Sequence, residues 1–482
     1  RHLMPKCLSK IIAKPARWIG RRGLCSPVPT RMMTNGEFTP IMQTNYQKRV
    51  EQVLNEYSGY FGRKTGMDRR SFLRSSCGMA AAFLAMNTVY GSIFSVDEAE
   101  AVDPACAAET RNRYGDQFIF DVQLHFVHEA YPWEGLLGLR ENARQYNPKL
   151  KGEKLTLEKF KFKNFIREVF LESQTSLGLL SGAPSDDIEK WFLKNKEIAQ
   201  ARASINAVAG SKRLFSHAIF TPGQPGWLEE INRAVEEFKP DSWKGYTIGD
   251  PLSPSDYPWR MDDEKLVYPA YEKMVKSGIR TVCVHKGLLP ADYKESFPEI
   301  WQYAKVDDVG KAARDWPELN FIIYHSALKP LSDFSDAYID AFERTGHIPW
   351  VTELSRIPEK YEVSNLYAEL GTSFGTTAVT YPRHSATLLG TLIKGFGKDR
   401  VLWGTDSVWY GSPQWQIEAF RRIEIPEDLQ KRFGLAPLGP ADGKTKNAIF
   451  GLNAARLYNI SPEGKAVAHA TWKNDRLSSL NT

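Results

Sequence analysis

Acidic side chains are missing from the first 31 residues, where eight Lys or Arg stand unopposed. Up to residue 101 there are 15 basic and 7 acidic side chains. Taking these from the 63 and 57 of the whole chain leaves 48 and 50 for residues 102–482, a balance of −2. The positive charge is therefore a property of a leader, and the rest lacks the basic surplus that binds nucleic acid. Cysteine is also scarce. Of five in the chain, only Cys106 and Cys283 follow residue 101, too few for a disulfide scaffold. Cys283, inside an apparent strand, reads as a small core residue. No G-x-G-x-x-G follows the first strand, so a dinucleotide fold gains no support.

What the leader does contain is a motif. Met67-Asp68-Arg69-Arg70-Ser71-Phe72-Leu73-Arg74 precedes the small, apolar run CGMAAAFLAMNTVYGSIF, and Ala99-Glu100-Ala101 offers an A-x-A cleavage site. A twin arginine with Phe-Leu two residues on, a mild apolar stretch and a small-residue site resemble a twin-arginine (Tat) signal over 67–101. That reading implies the Tat export machinery as a partner and a periplasmic or extracellular location, reached by an already folded protein. The bland alternative is a helix that stays attached as an arm. The apolar run is shorter than the ~20 residues a bilayer span needs, and it contains Asn87. Ahead of it, residues 1–66 combine a basic, transit-like extension with NYQKRVEQVLNEYSGYFG, which reads as an amphipathic helix; Met32 or Met33 would also serve as a start.

From residue 102 short apolar runs alternate with longer amphipathic ones, the pattern of repeated βα units. Eight strand candidates follow in order: 118–122, 175–182, 213–220, 242–248, 279–285, 320–326, 365–371 and 400–406. Helical patterns lie between them, as over 186–207, 225–239, 263–278 and 382–397. This predicts an α/β chain folded as a (β/α)8 TIM barrel with insertions over 116–460, and a tail over 461–482. A doubly wound open sheet is the competitor. Segments 126–165 and 328–364 are long for connections and are expected to cover a site as lids.

Four strand candidates finish in a polar side chain able to bind metal: His125, His285, His325 and Asp406. In a parallel barrel they would meet at the C-terminal rim, where histidines and a carboxylate make a mononuclear hydrolytic site. Each has a plainer role open to it: a hydrogen-bonded core histidine, or for Asp406 a helix N-cap.

The ordered set resembles a known family. The strand 1 motif Asp121-Val122-Gln123-Leu124-His125, the strand 5 and 6 histidines, W-G-T-D-S and the closing NAIFGLNAARLYNI are similar to the amidohydrolase-related metal-dependent hydrolases. That group includes aminocarboxymuconate-semialdehyde decarboxylase and the resorcylate decarboxylases. The resemblance implies one divalent metal, Zn2+ ahead of Mn2+, held by His125, His285 and Asp406. Gln123 stands where the family places a first ligand, His or Glu; it helps as a weak amide ligand, or the site works differently. His325 is implied to polarise a substrate oxygen, and Asp406 to transfer the proton. Lys244 is the only candidate bridging group, which disfavours a binuclear site. Lys244, His128 and Glu369 are further candidates for contact with a small-molecule substrate, against ordinary surface, loop-capping or supporting roles. Superfamily relatives frequently form homodimers. Trp350, Trp403, Trp409 and Tyr410 give the rim aromatic surface that would suit a flat substrate, or simply pack.

Two reactions fit these residues. In hydrolysis, activated water attacks a carbonyl or related carbon while Asp406 shuttles the proton. In non-oxidative decarboxylation, Asp406 delivers a proton to carbon as carbon dioxide leaves. Export leans towards scavenging hydrolysis and Gln123, shaped like Glu, towards the lyase; hydrolysis is placed first. A metal-free barrel with a binding role is the third reading, supported by Gln123 alone.

Overall fold

A computed structural model describes residues 25–329, 334–461 and 476–481. The basic stretch before residue 25 and tail residues 462–475 lie outside the described residues. Eight parallel strands form one sheet in sequential order: β1 (Phe120–Leu124), β2 (Leu177–Leu180), β3 (Leu214–Ile219), β4 (Ser242–Tyr246), β5 (Thr281–His285), β6 (Asn320–Tyr324), β7 (Leu366–Glu369) and β8 (Val401–Leu402). Backbone bonds from Val122 N to Trp403 O (3.0 Å) and from His125 N to Ser407 O (2.7 Å) close β8 onto β1. The result is the expected (β/α)8 barrel.

Each expected strand overlaps an observed one. Their apolar runs are buried on both faces, as strands must be when side chains fill the barrel and helices cover it. Inside, Phe120, Val122, Leu177, Leu179, Phe215, Cys283, Ile322, Tyr324 and Leu402 pack as one cluster. Helix starts are less regular. The pattern over 186–207 yields a single turn at Ile188–Lys190 and then a helix only over Asn195–Ala209. Asp187 caps that first turn with its own side chain, and Trp191 leaves it in extended backbone. Likewise the helix within 263–278 begins at Tyr268, where Pro269 occupies its first turn.

The leader is part of the same body. A strap of irregular chain, residues 25–44, crosses the barrel rim and buries Met32, Met33 and Phe38. Five helices follow: α1 (Asn45–Thr65), α2 (Arg69–Arg74), α3 (Ser76–Tyr90), α4 (Glu98–Val102) and α5 (Pro104–Arg113). The stretch read as a signal makes α2 and α3. Asp68 caps α2 by accepting from the amides of Arg70 (2.9 Å) and Ser71 (3.1 Å), leaving both arginines of the pair exposed. Phe72, Phe83, Ala80, Ala81 and Ala85 are fully buried. Ala99-Glu100-Ala101 lies within α4, where Glu100 pairs with buried Arg422 (2.6 Å). No helix among the described residues is long and apolar enough to cross a membrane.

Candidate functional site

The C-terminal ends of the strands gather the four residues that the sequence singled out. His125 follows β1, His285 ends β5, His325 follows β6 and Asp406 lies just beyond β8. Several rim residues adopt left-handed backbone that costs a non-glycine residue: His325 (φ 60°), Ser326 (48°), Ala327 (54°), Thr372 (58°) and Asp406 (59°). Such strain costs on the order of 1–3 kcal/mol each and persists where the surrounding structure holds it, often at a functional site.

Two subclusters form. In the first, His125 Nε2 lies 3.2 Å from Asp406 Oδ1. His125 Nδ1 is 3.0 Å from the Ser181 carbonyl, which can only accept, so Nδ1 carries the proton. Nε2 faces the Asp406 carboxylate at the cavity floor. Asp406 Oδ2 accepts from the Thr372 hydroxyl (2.6 Å) and from Asn35 Nδ2 (2.7 Å). Burial works to raise the Asp406 carboxyl, but the bond and charge of His125, then His325 and Thr372, outweigh it. Asp406 is held well below the usual carboxylate range.

In the second subcluster, Glu37, His285 and His325 place their donor atoms within 4.8 Å of one another. His285 Nε2 is 2.9 and 3.0 Å from the two Glu37 oxygens. His325 Nδ1 is 2.7 Å from the Gly371 carbonyl, so Nδ1 carries a proton and Nε2 faces the site. Burial pushes His285 down to about 3 and His325 to about 4, and both are neutral, the form that binds metal. Burial also pushes the Glu37 carboxyl up to about 7, against the attraction of His325. Asn35 joins the subclusters, since its Nδ2 also donates to Glu37 Oε2 (3.0 Å). Two imidazoles fixed by carbonyl contacts at Nδ1, a third in His285, and the carboxylates beside them are a donor set that fits a divalent cation.

The other expected residues lie around this floor. Gln123 is clamped with its amide nitrogen donating to both Glu369 oxygens (3.0 Å) and its amide oxygen 3.2 Å from His325 Nε2. Glu369 also accepts from the backbone amides of His325 (2.9 Å) and Gly371 (2.6 Å), and burial pushes its carboxyl up to about 8. Gly404 must be glycine here, since a Cβ would stand on Glu369 Oε1. Lys244 is fully buried beneath the floor, its Nζ 3.3 Å from the Tyr324 ring centroid, without a hydrogen-bond partner, and pushed by burial to about 8. His128 stacks edge-on to Tyr131. Neither Lys244, His128 nor Glu369 lines the cavity above.

That cavity measures about 470 Å³ and reaches down to Gln123, His125, Glu37 and Asp406. Its walls are mostly apolar, with Tyr131, Trp133, Phe192, Tyr246 and Trp409 supplying flat faces. The insertion 126–165 does form one wall; the second expected lid, 328–364, contributes no lining residue among those described. The loop 249–254 and the strap residues Asn35, Gly36 and Glu37 do, and neither was anticipated. Of the four aromatic rim residues expected, only Trp409 lines the cavity.

The sequence model of the amidohydrolase family matches residues 194–460, more than half of the chain. The chain belongs to the amidohydrolase family. No curated protein matches this amidohydrolase. Solved structures similar to it include a TIM-barrel protein of Bordetella bronchiseptica, 14% identical, covering 71% of this chain and 98% of that one, TM-score 0.46. Others are 5-carboxyvanillate decarboxylase from Sphingomonas paucimobilis (15% identical, 72% and 100% covered, TM-score 0.39) and 2,6-dihydroxybenzoate decarboxylase from Rhizobium (15%, 71% and 99%, 0.39).

Proposed function

We propose that this amidohydrolase is a mononuclear metal-dependent decarboxylase of flat, conjugated or aromatic carboxylic acids. The observation that carries the reading is the cavity: a mostly apolar slot walled by aromatic rings that reaches down to Gln123, His125, Glu37 and Asp406. Stacked aromatic faces suit a planar substrate. A slot poor in polar groups disfavours a substrate carboxylate relative to the neutral arene and carbon dioxide it becomes, so charge dispersal is favoured.

His285 and His325, with a carboxylate, would hold the ion, and His125 and Asp406 stand next to it. Bound there, a divalent cation, Zn2+ or Mn2+, would supply a Lewis acid for substrate oxygens. Asp406 handles the proton. It is ionised at rest, takes a proton through His125 or from the substrate, and returns it to the ring carbon as the carbon–carbon bond breaks. The net change is R–COO⁻ + H⁺ → R–H + CO₂. Tyr246 stacks on His285 (centroids 5.0 Å apart) and Trp409 on His125 (6.0 Å), which orients both imidazole rings.

Hydrolysis, first in the reading of the sequence, takes second place on the form of the cavity. One observation favours it: an Asp406 held ionised is well suited to accept a proton from water. Carboxyl-labelled hydroxybenzoic acids, incubated with the metal-loaded chain in D₂O, separate the two. Decarboxylation releases the label as carbon dioxide and leaves deuterium at the vacated carbon. Retained label across the acids, with turnover of lactones or amides instead, would reverse the assignment.

A further inference from the structure

We infer that Glu37, carried on the N-terminal strap, is the carboxylate that completes the metal centre with His285 and His325. The inference rests on the metal-dependent reading above and specifies how the site is built.

Three observations carry it. First, both carboxylate oxygens of Glu37 meet His285 Nε2, and the donor atoms of Glu37, His285 and His325 fall within 4.8 Å of one another. No other group of three His, Cys, Asp or Glu among the described residues comes together in this way. Second, the β1 side chain closest to His325 brings no charge to the role. The Gln123 amide nitrogen is bound to Glu369, and only its neutral oxygen faces His325. An uncharged amide is also a weaker ligand for a divalent ion than a carboxylate.

Third, the strap is built to hold Glu37 in place. The Thr34 hydroxyl donates to Phe38 O (2.7 Å), closing a tight loop around it. Gly36, at φ 97°, supplies backbone that other residues avoid, and its amide donates to the Thr34 hydroxyl (3.0 Å). Asn35 accepts from the Glu37 amide (3.1 Å) and donates to the Glu37 carboxylate. On either side Met33 and Phe38 are buried, and the Thr376 hydroxyl donates to Met33 O. A mere surface loop has no use for a glutamate pinned over two buried histidines.

The test is calorimetric titration of the full-length, metal-stripped chain with Zn2+, for wild type and Glu37→Gln. Wild type is expected to bind about one ion, and Glu37→Gln to bind it at least tenfold more weakly while its metal-free melting curve stays cooperative. Equal affinity in the two would overturn the inference and leave the metal-dependent reading standing. A wild type that binds no Zn2+ would overturn both. A crystal structure of the Zn2+-loaded wild type decides without any variant. A Glu37 oxygen at ~2.0–2.2 Å from the ion supports the inference, and a Glu37 turned away overturns it.

Discussion

Asp406 is the side chain on which either proposed chemistry depends, and its surroundings explain why it suits the task. Thr372 and Asn35 hold one oxygen, His125 faces the other, and the residue sits in left-handed backbone that fixes its direction. Asp406→Asn keeps the shape and removes the base, so turnover should fall about 10²–10⁴-fold. A steady-state assay on the preferred acid would check this, with a melting temperature close to wild type. His384 carries a prediction remote from the chemistry. It is fully buried among Phe334, Phe342 and Tyr338, its Nδ1 has no partner, and burial pushes it down to about 3. The unfolded chain takes up this proton near the ordinary ~6.5, so His384 favours the native state above that value. This is lost as pH falls towards 3, by about 1.4 kcal/mol per pH unit. His384→Leu should flatten the decline of denaturant-measured stability between pH 6.5 and 4.5 by about that slope; an unchanged slope would place the acid sensitivity elsewhere. Of the site itself, His125, His285, His325 and Asp406 were legible because each ends an apolar run. Glu37 and Asn35 were not. They belong to a segment whose composition reads as a leader, and nothing local marks a residue whose partners lie hundreds of positions away.

At the level of elements, all eight strands could be read, because a buried parallel strand is a short continuous apolar run. The lids were harder, since length marks an insertion but not where it docks. Insertion 126–165 is fastened by a charged knot: Arg140, fully buried, donates to Glu168 (3.0 Å from Nη1) and to Glu153 (2.8 Å from Nε). Leu139, its neighbour, lines the cavity. Arg140→Met leaves Glu168 buried without its partner and should cost about 3–5 kcal/mol. Urea unfolding would measure it. A loss below about 1 kcal/mol would show that the insertion is held by its apolar side chains instead.

For the molecule as a whole, the leader proves continuous with the barrel. The segment 93–95 exchanges backbone bonds with 422–424 (Ser95 N to Arg422 O, Glu424 N to Ile93 O, both 2.7 Å). Beyond them Gln47 and Tyr90 reach the carbonyls of Val379 and Thr380. A packed, Ala-rich helix and an apolar export sequence use the same side chains, so residues 67–101 can carry the signal motif and still pack as α2 and α3. Cleavage after Ala101 would uncover the apolar faces against which Phe72, Phe83 and Met86 pack. We propose that export by the twin-arginine route, if the motif is used, leaves this segment attached. Mass spectrometry of the protein from its native compartment should find residues preceding 102. A chain begun at residue 102 should be recovered as aggregate; a soluble, cooperatively melting product of that truncation would refute the proposal.

The strap also sets the order of events during synthesis. Asn35 and Glu37 leave the ribosome early, yet Asn35 meets Asp406 across 371 residues. At ~5–20 residues per second the N-terminal segment waits on the order of tens of seconds for its partner. An interrupted chain that stops short of β8 has the glutamate and the histidines but lacks the far anchor of the loop that joins them. In the proposed centre, metal capture would thereby be a late event, available to finished chains and withheld from fragments.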